Sequence, residues 1–272
     1  MNTIETDGFL SNQITYLIKK NWNQNSKWFN LCKEINRFSH TTMYKMIVHN
    51  KCELEIMVAL LYIRSMSNFQ GVIIMAERGM VNEAKTLLRC LLECEFAVVA
   101  IDKDKTIVDR LILDDRIQQL GKLNAIKRNI ENGVPLPKDT FSIDEINIFI
   151  KDVNSEIKKS NIKKFTTREL AEIAGLITTY DSAYKDLSST IHVNVRDLEQ
   201  YLELNKKREI KQLLSEPDVK EIGKILLTAL TIILTILESI SNRFSLSCDK
   251  TWDRILEEFN RLSSIYQKKI LS

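Results

Sequence analysis

Glycine and proline are scarce, at 7 and 3 of 272 residues, against usual shares of roughly 7% and 5%. The tight turns that join many short strands depend on those residues, so an all-β fold is close to excluded. Histidine is also rare, at 3, and the three are scattered. With no acid-rich helix pair of the Glu-x-x-His kind, neither a catalytic metal nor another cofactor is expected. The five cysteines, Cys32, Cys52, Cys90, Cys94 and Cys248, form an odd set without a CxxC pair. Cys90 and Cys94 stand four apart in an apolar helical pattern, and the set reads as small core residues in a reducing compartment.

Long apolar runs are missing too. The best candidate, residues 225–237, has 13 uncharged residues between Lys224 and Glu238, whereas spanning a bilayer takes about 20. That length suits a buried core helix, and no membrane partner is expected. The first residues carry neither a basic start nor an apolar stretch, so a cytoplasmic location is expected. Charge of one sign is not in excess: 39 Lys and Arg face 36 Asp and Glu, for a net charge of +3. A dedicated nucleic-acid binder is more basic than this, so any contact with RNA has to come from a local patch. No nucleotide loop, zincin helix, calcium loop, nucleophile elbow or kinase signature occurs.

What is present is helical periodicity along nearly the whole chain, with 44% hydrophobic and 28% charged residues, enough for a large core. The spacing of Leu54, Met57, Val58, Leu61, Ser65, Val72 and Met75 predicts a helix over residues 53–78, with Gly79 past its C-terminus. Asn82 is a candidate N-cap for the next helix, which is apolar on most sides through Ile101 and therefore central. A third helix is expected over 106–130 and a more polar one over 142–159. A short one follows from Thr167 to about Gly175.

Residues 181–204 place Tyr184, Leu187, Ile191, Val195, Leu198 and Leu202 on one stripe and read as a second core helix. Ser215 is a candidate N-cap, with Pro217 in the first turn, for the most apolar helix, which ends near Arg243. A last amphipathic helix covers 249–268. The expected fold is an all-α multi-helix bundle, a single domain over 1–272, with residues 121–168 as a polar helical arm inserted between core helices.

Polar residues inside apolar helical patterns mark candidate functional positions. Arg89 and Glu93 stand four apart on one stripe of a helix that is apolar elsewhere, and neither charge can be enclosed without a partner. They make either a structural ion pair between helices or part of a site. Arg64 and Asn68 are a further pair at that spacing and are read as part of the same polar interior or as a solvated helix edge. His192 is the one histidine in a core-type pattern, since His40 and His49 fall in a less regular, exposed region. It is the candidate general acid or base, sharing a stripe with Tyr184, Ser188 and Arg196, unless it is a satisfied core histidine. Two residues on one helix project in parallel, which argues against Ser188 as a nucleophile activated by His192. Two basic clusters are candidate phosphate contacts or plain solvated faces. One is Lys158, Lys159, Lys163, Lys164 and Arg168; the other is Lys206, Lys207, Arg208 and Lys211.

The run Glu83 to Glu93, containing Arg89-Cys90-Leu91-Leu92-Glu93, joined to the run Tyr184 to His192, containing Leu187-Ser188 and His192, resembles the bacterial domain-of-unknown-function family DUF5677. That family pairs an R-x-L-x-E-like helix with a later L-S-x-x-x-H-like helix, and the likeness spans about residues 55–240. The layout is also similar to the HEPN superfamily, helical bundles many of which are metal-independent ribonucleases in toxin and antiphage systems. Their usual site is an Arg followed four to six residues later by His on one helix. Here Lys185 stands seven positions before His192, and Arg37 three before His40, so Arg89 from another helix has to supply the cation.

The resemblance implies a HEPN-like ribonuclease effector of an antiphage or toxin–antitoxin locus, in which His192, Arg89 and Glu93 act on RNA within a homodimer. The rival reading is a non-enzymatic helical module that binds RNA or a protein encoded in the same locus.

Overall fold

The computed structural model describes residues 3–134, 142–160, 166–189, 195–215, 217–247 and 250–271. The chain is an all-α bundle with one small two-stranded sheet. Its helices are α1 (Ile4–Asp7), α2 (Ile14–Gln24), α3 (Ser26–Lys45), α4 (Glu53–Glu77), α5 (Val81–Lys103), α6 (Ile107–Glu131), α7 (Ile143–Ser160), α8 (Thr167–Ala174), α9 (Ile177–Thr179), α10 (Lys185–Ser189), α11 (Val195–Leu198), α12 (Ile222–Arg243) and α13 (Lys250–Leu271). A π-helical turn, Tyr180–Tyr184, joins α9 to α10. Strands β1 (Leu202–Leu204) and β2 (Ile210–Leu213) form an antiparallel hairpin.

The core is built on α4, α5 and α12. Leu91, Leu92, Phe96, Ala100 and Ile101 of α5 are almost wholly enclosed, as are Leu226, Leu230, Ile233 and Leu237 of α12. Burying side chains of this size stabilises by about 1.5–3 kcal/mol each. Helices α4 and α12 also have the length and hydropathy of a membrane span, and their buried faces form much of this core.

The α4–α5 hairpin turns at Gly79, whose φ of +72° places it in the left-handed region. A Cβ there would come within 2.8 Å of Pro217 Cβ and 3.0 Å of the Asp218 carbonyl oxygen. The Asp218 amide donates to the Gly79 carbonyl at 2.9 Å, so the irregular stretch before α12 straps the turn. Across the same end, the buried Asn21 side chain donates to the last carbonyls of α4, Ala76 at 2.7 Å and Glu77 at 3.1 Å. This satisfies acceptors that a helix end otherwise leaves without partners.

Helix α8 packs on α5 through Leu170, Ala171 and Ala174. It opens on a capping box between Thr166 and Glu169, and Lys103 Nζ donates to the Ala174 carbonyl at 2.7 Å, tying the C-terminal ends of α5 and α8 together. Helices α6 and α7 pack on one another. Beyond Leu113 the described part of this pair buries only Ile146 and Val153 among its apolar side chains.

Four local expectations need correction. Asn82 is not an N-cap: α5 begins at Val81, and the Asn82 side chain donates instead to the Tyr201 hydroxyl at 2.7 Å. Helix α12 begins at Ile222 rather than near Ser215, because residues 217–220 form the strap over Gly79, with Asp218 Oδ1 accepting from the Lys220 amide. The helix expected over 181–204 is not continuous. Among the described residues its helical part reaches no further than Leu198, after which a 3-10 turn leads into β1; Tyr184 and Leu187 of the expected stripe are buried, but Val195 is 76% exposed and Leu198 46%, so no core lies under the later part of that stripe. Finally, His40 sits on the regular 20-residue α3, where its Nε2 meets Gln70 at 3.0 Å. The buried stripe of α3 includes Ser39 and Thr42. Ser39 hides its hydroxyl on the Ile35 carbonyl at 2.8 Å, which masks the helix in an apolar pattern.

Candidate functional site

The stripe of α5 that carries Asn82, Thr86, Arg89 and Glu93 runs along the edge of the core, because residues three and four apart share a helix face. Opposite it stand the π-turn and α10. A π-turn adds a residue to the helical repeat and is frequent at functional sites. This one holds Tyr184, 6% exposed, against α5.

The Tyr184 hydroxyl joins the charges of α5: Arg89 Nη2 donates to it at 2.7 Å and it donates to Glu93 Oε1 at 2.8 Å. Arg89 Nη2 also lies 3.1 Å from Glu93 Oε1, and its guanidinium carbon is 4.8 Å from the centre of the Tyr184 ring. Arg89 Nε donates to Ser188 Oγ at 3.2 Å, and the Ser188 hydroxyl in turn donates to the Tyr184 carbonyl at 2.8 Å. Burial, reinforced by its bond to Glu93, raises the pKa of the Tyr184 phenol, so it remains a protonated donor at neutral pH. Two stretches some 95 residues apart thus bring together a guanidinium, a carboxylate, a phenol and a hydroxyl. The Arg89 side chain is 22% exposed and that of Glu93 38%, so the cluster is open to solvent on one side.

The same turn carries a second layer. Tyr180 stacks on Tyr184 at 5.0 Å between centroids, and Phe96 meets Tyr184 at 5.8 Å. Asp181 accepts from Lys185 at 2.7 Å and Arg168 at 3.3 Å, and Arg168 also reaches Glu172 at 3.0 Å. The bonds from Lys185 and Arg168 lower the pKa of the Asp181 carboxyl. Arg168 therefore spends its charge inside the bundle's own surface network.

The other positions singled out from the sequence are dispersed. Asn68 is buried but turns to Cys94, with Nδ2 3.8 Å from Sγ, while Arg64 is exposed. The two do not share the interior of the Arg89 cluster, because a step of four residues turns about 40° around a helix, enough at this edge to carry Arg64 out. Lys158 and Lys159 are exposed at the end of α7. His192, Lys163, Lys164 and Cys248 lie outside the described residues, as does the side chain of Arg196, whose backbone is in α11. Cys32 and Cys94 are buried and free, and burial raises both thiol pKa values. Among the described residues no group of three or more His, Cys, Asp and Glu could hold a metal ion.

Sequence reasoning passed over Glu95. It is 3% exposed, its Oε2 has no hydrogen-bond partner, and Thr235 of α12 bonds the carboxyl. Burial raises its pKa from the usual 4.5 to about 7. The signal was a lone acid between Cys94 and Phe96 in the helix already read as apolar on most sides. The links from Asn82 to Tyr201 and from Lys85 to Glu221 carried no sequence signal, since they depend on where the hairpin and the strap fall.

No curated protein and no solved structure matches the chain. The model of a family of unknown function, DUF5677, matches residues 55–210. That match takes in α5, the π-turn and α10 with all four clustered side chains, stops before α12, and covers more than half of the chain, which therefore belongs to the DUF5677 family.

Proposed function

We propose that the protein is a metal-independent ribonuclease effector of the HEPN-like kind, serving an antiphage or toxin–antitoxin locus, with the α5–α10 cluster as its phosphodiester site. One observation carries the reading: Arg89 is oriented from three sides by Tyr184, Glu93 and Ser188 on the solvent-accessible edge of the core. A guanidinium has five N–H donors, so one fixed in this way still has donors for the oxygens of a phosphate. Preorganised cations of this kind stabilise developing charge in acyl and phosphoryl transfer.

In the proposed reaction His192 takes the proton of a ribose 2′-hydroxyl. The 2′-oxygen bonds to the adjacent phosphorus, the bond to the 5′-oxygen breaks, and that oxygen takes a proton from a water that the His192 imidazolium reprotonates, leaving a cyclic phosphate and neutral His192. Arg89 faces the negative charge on the five-coordinate phosphorus, Glu93 and the neutral Tyr184 hold Arg89 in place, and two copies pair their sites in a dimer. A second reading, a non-enzymatic module binding RNA or a protein, is favoured by the closure of the network: each of the four side chains satisfies another.

Expression of wild type, His192→Ala and Arg89→Ala in a bacterial host, with inspection of total RNA, separates the two. The enzyme reading expects RNA fragments with wild type alone and a melting temperature for His192→Ala close to wild type. Intact RNA in all three cultures refutes it. The module reading expects Arg89→Ala to destabilise by about 2 kcal/mol, the usual loss for hydrogen bonds to a charged group, with no change in RNA.

A further inference from the structure

The loop of the β1–β2 hairpin is organised by one side chain. Asn205 Oδ1 accepts from the amides of Lys207 and Glu209, at 2.8 and 3.0 Å, and the Asn205 backbone closes the loop with Glu209 and Arg208. This folds Lys206, Lys207 and Arg208 into an exposed tip. Several cations described above are matched by acids: Lys85 with Glu221, Arg89 with Glu93, Arg168 and Lys185 with Asp181. Within the hairpin, Lys211 pairs with Glu203 at 2.6 Å. The three cations of the tip make no ion pair with any described residue. Arg208 also holds φ +62°, a left-handed conformation that glycine adopts without strain. The last residue of a three-residue hairpin loop commonly takes this conformation.

The hairpin is moored to the candidate site. Tyr201, directly before β1, receives the hydrogen bond of Asn82, and its carbonyl accepts from Leu214 at 2.8 Å. Asn82 lies on the same α5 stripe as Arg89, seven residues away, or about 10 Å along the helix. We infer that the Lys206–Lys207–Arg208 tip is a contact for the phosphate backbone of an RNA strand, guiding it toward the α5 stripe; this rests on the proposed ribonuclease reading for the identity of the polyanion. Leu204 and Ile210, paired across the hairpin beside the tip and 50% and 66% exposed, offer apolar contact to bases, which a single strand leaves accessible and a duplex does not.

The test is binding of a fluorescently labelled 15-nucleotide single-stranded RNA, read by anisotropy at several salt concentrations. It compares wild type with Lys206→Ala/Lys207→Ala/Arg208→Gly. Each phosphate contact on a single strand contributes about 0.7 to the slope of log affinity against log salt, so the triple variant should lower that slope by about 2 and weaken binding at least tenfold near 0.1 M salt. Arg208→Gly by itself should weaken RNA binding while slightly raising the melting temperature, a combination that a purely structural tip does not give. Equal affinity and slope in wild type and triple variant overturn the inference. So does a wild type that binds no RNA, or a variant whose only change is in oligomeric state, which would make the hairpin a protein interface. RNA bound through the tip but never cleaved upholds the inference and removes the ribonuclease reading; cleavage undiminished in the triple variant, with affinity unchanged, does the reverse.

Discussion

Glu95 is the residue at which the molecule departs furthest from what a core accepts. A buried carboxylate is costly when ionised, the more so here because Oε2 has no hydrogen-bond partner. The sign of its pH effect follows from its pKa, raised in the fold from 4.5 to about 7. Below about pH 4.5 the carboxyl is neutral folded and unfolded, and no penalty arises. Between 4.5 and 7 the unfolded chain releases a proton that the folded one keeps, so stability falls as pH rises; above 7 the loss levels off at about 3 kcal/mol, at 1.36 kcal/mol per pKa unit. Glu95→Gln should therefore stabilise the protein at pH 8 by about 1–3 kcal/mol in urea denaturation, and the gain should vanish near pH 4.5. An equal gain at both pH values would show that ionisation is not its source. Tyr184 differs from Glu95 in that its hydroxyl both donates and accepts, so its burial leaves no polar atom stranded.

Among the elements, the turn between α4 and α5 is the most constrained. Gly79→Ala forces an L side chain into the left-handed region, at about 1–2 kcal/mol, and drives its Cβ into Pro217 and the Asp218 backbone. A loss of 2 kcal/mol or more in thermal or urea unfolding is expected; a loss under 0.5 kcal/mol would mean that the strap yields freely. This turn was legible in the sequence, since a glycine at the end of a periodic stretch has few other uses; the end of α6 was legible from Asn132-Gly133, and the extent of α7 from its acidic start and basic finish. The stretch beyond Tyr184 was not. Leu198 and Leu202 fit a helical stripe, but Leu202 and Leu204 fit the alternation of a strand equally well, and only the Asn205 loop decides between them. The pairing of Arg89 with Glu93 could be read from their spacing, whereas the bridging role of Tyr184 depends on the π-turn, which leaves no trace in periodicity.

At the scale of the whole molecule the distribution of buried side chains is uneven, and so should be its local stability. Amides of α4, α5 and α12, which line the core, should exchange with deuterium slowest. Those of α7 and the later part of α6, with few enclosed side chains, should exchange faster by orders of magnitude; uniform protection along the chain would contradict this. The family match ends at Ile210, yet Leu226, Leu230, Ile233 and Leu237 of α12 are at 0% exposure against α5 and its neighbours. The matched segment by itself therefore lacks one wall of the core. A polypeptide cut after residue 210 should be recovered as an insoluble or dye-binding species, and co-expression of residues 211–272 as a separate piece should restore it to solution by re-forming the missing wall.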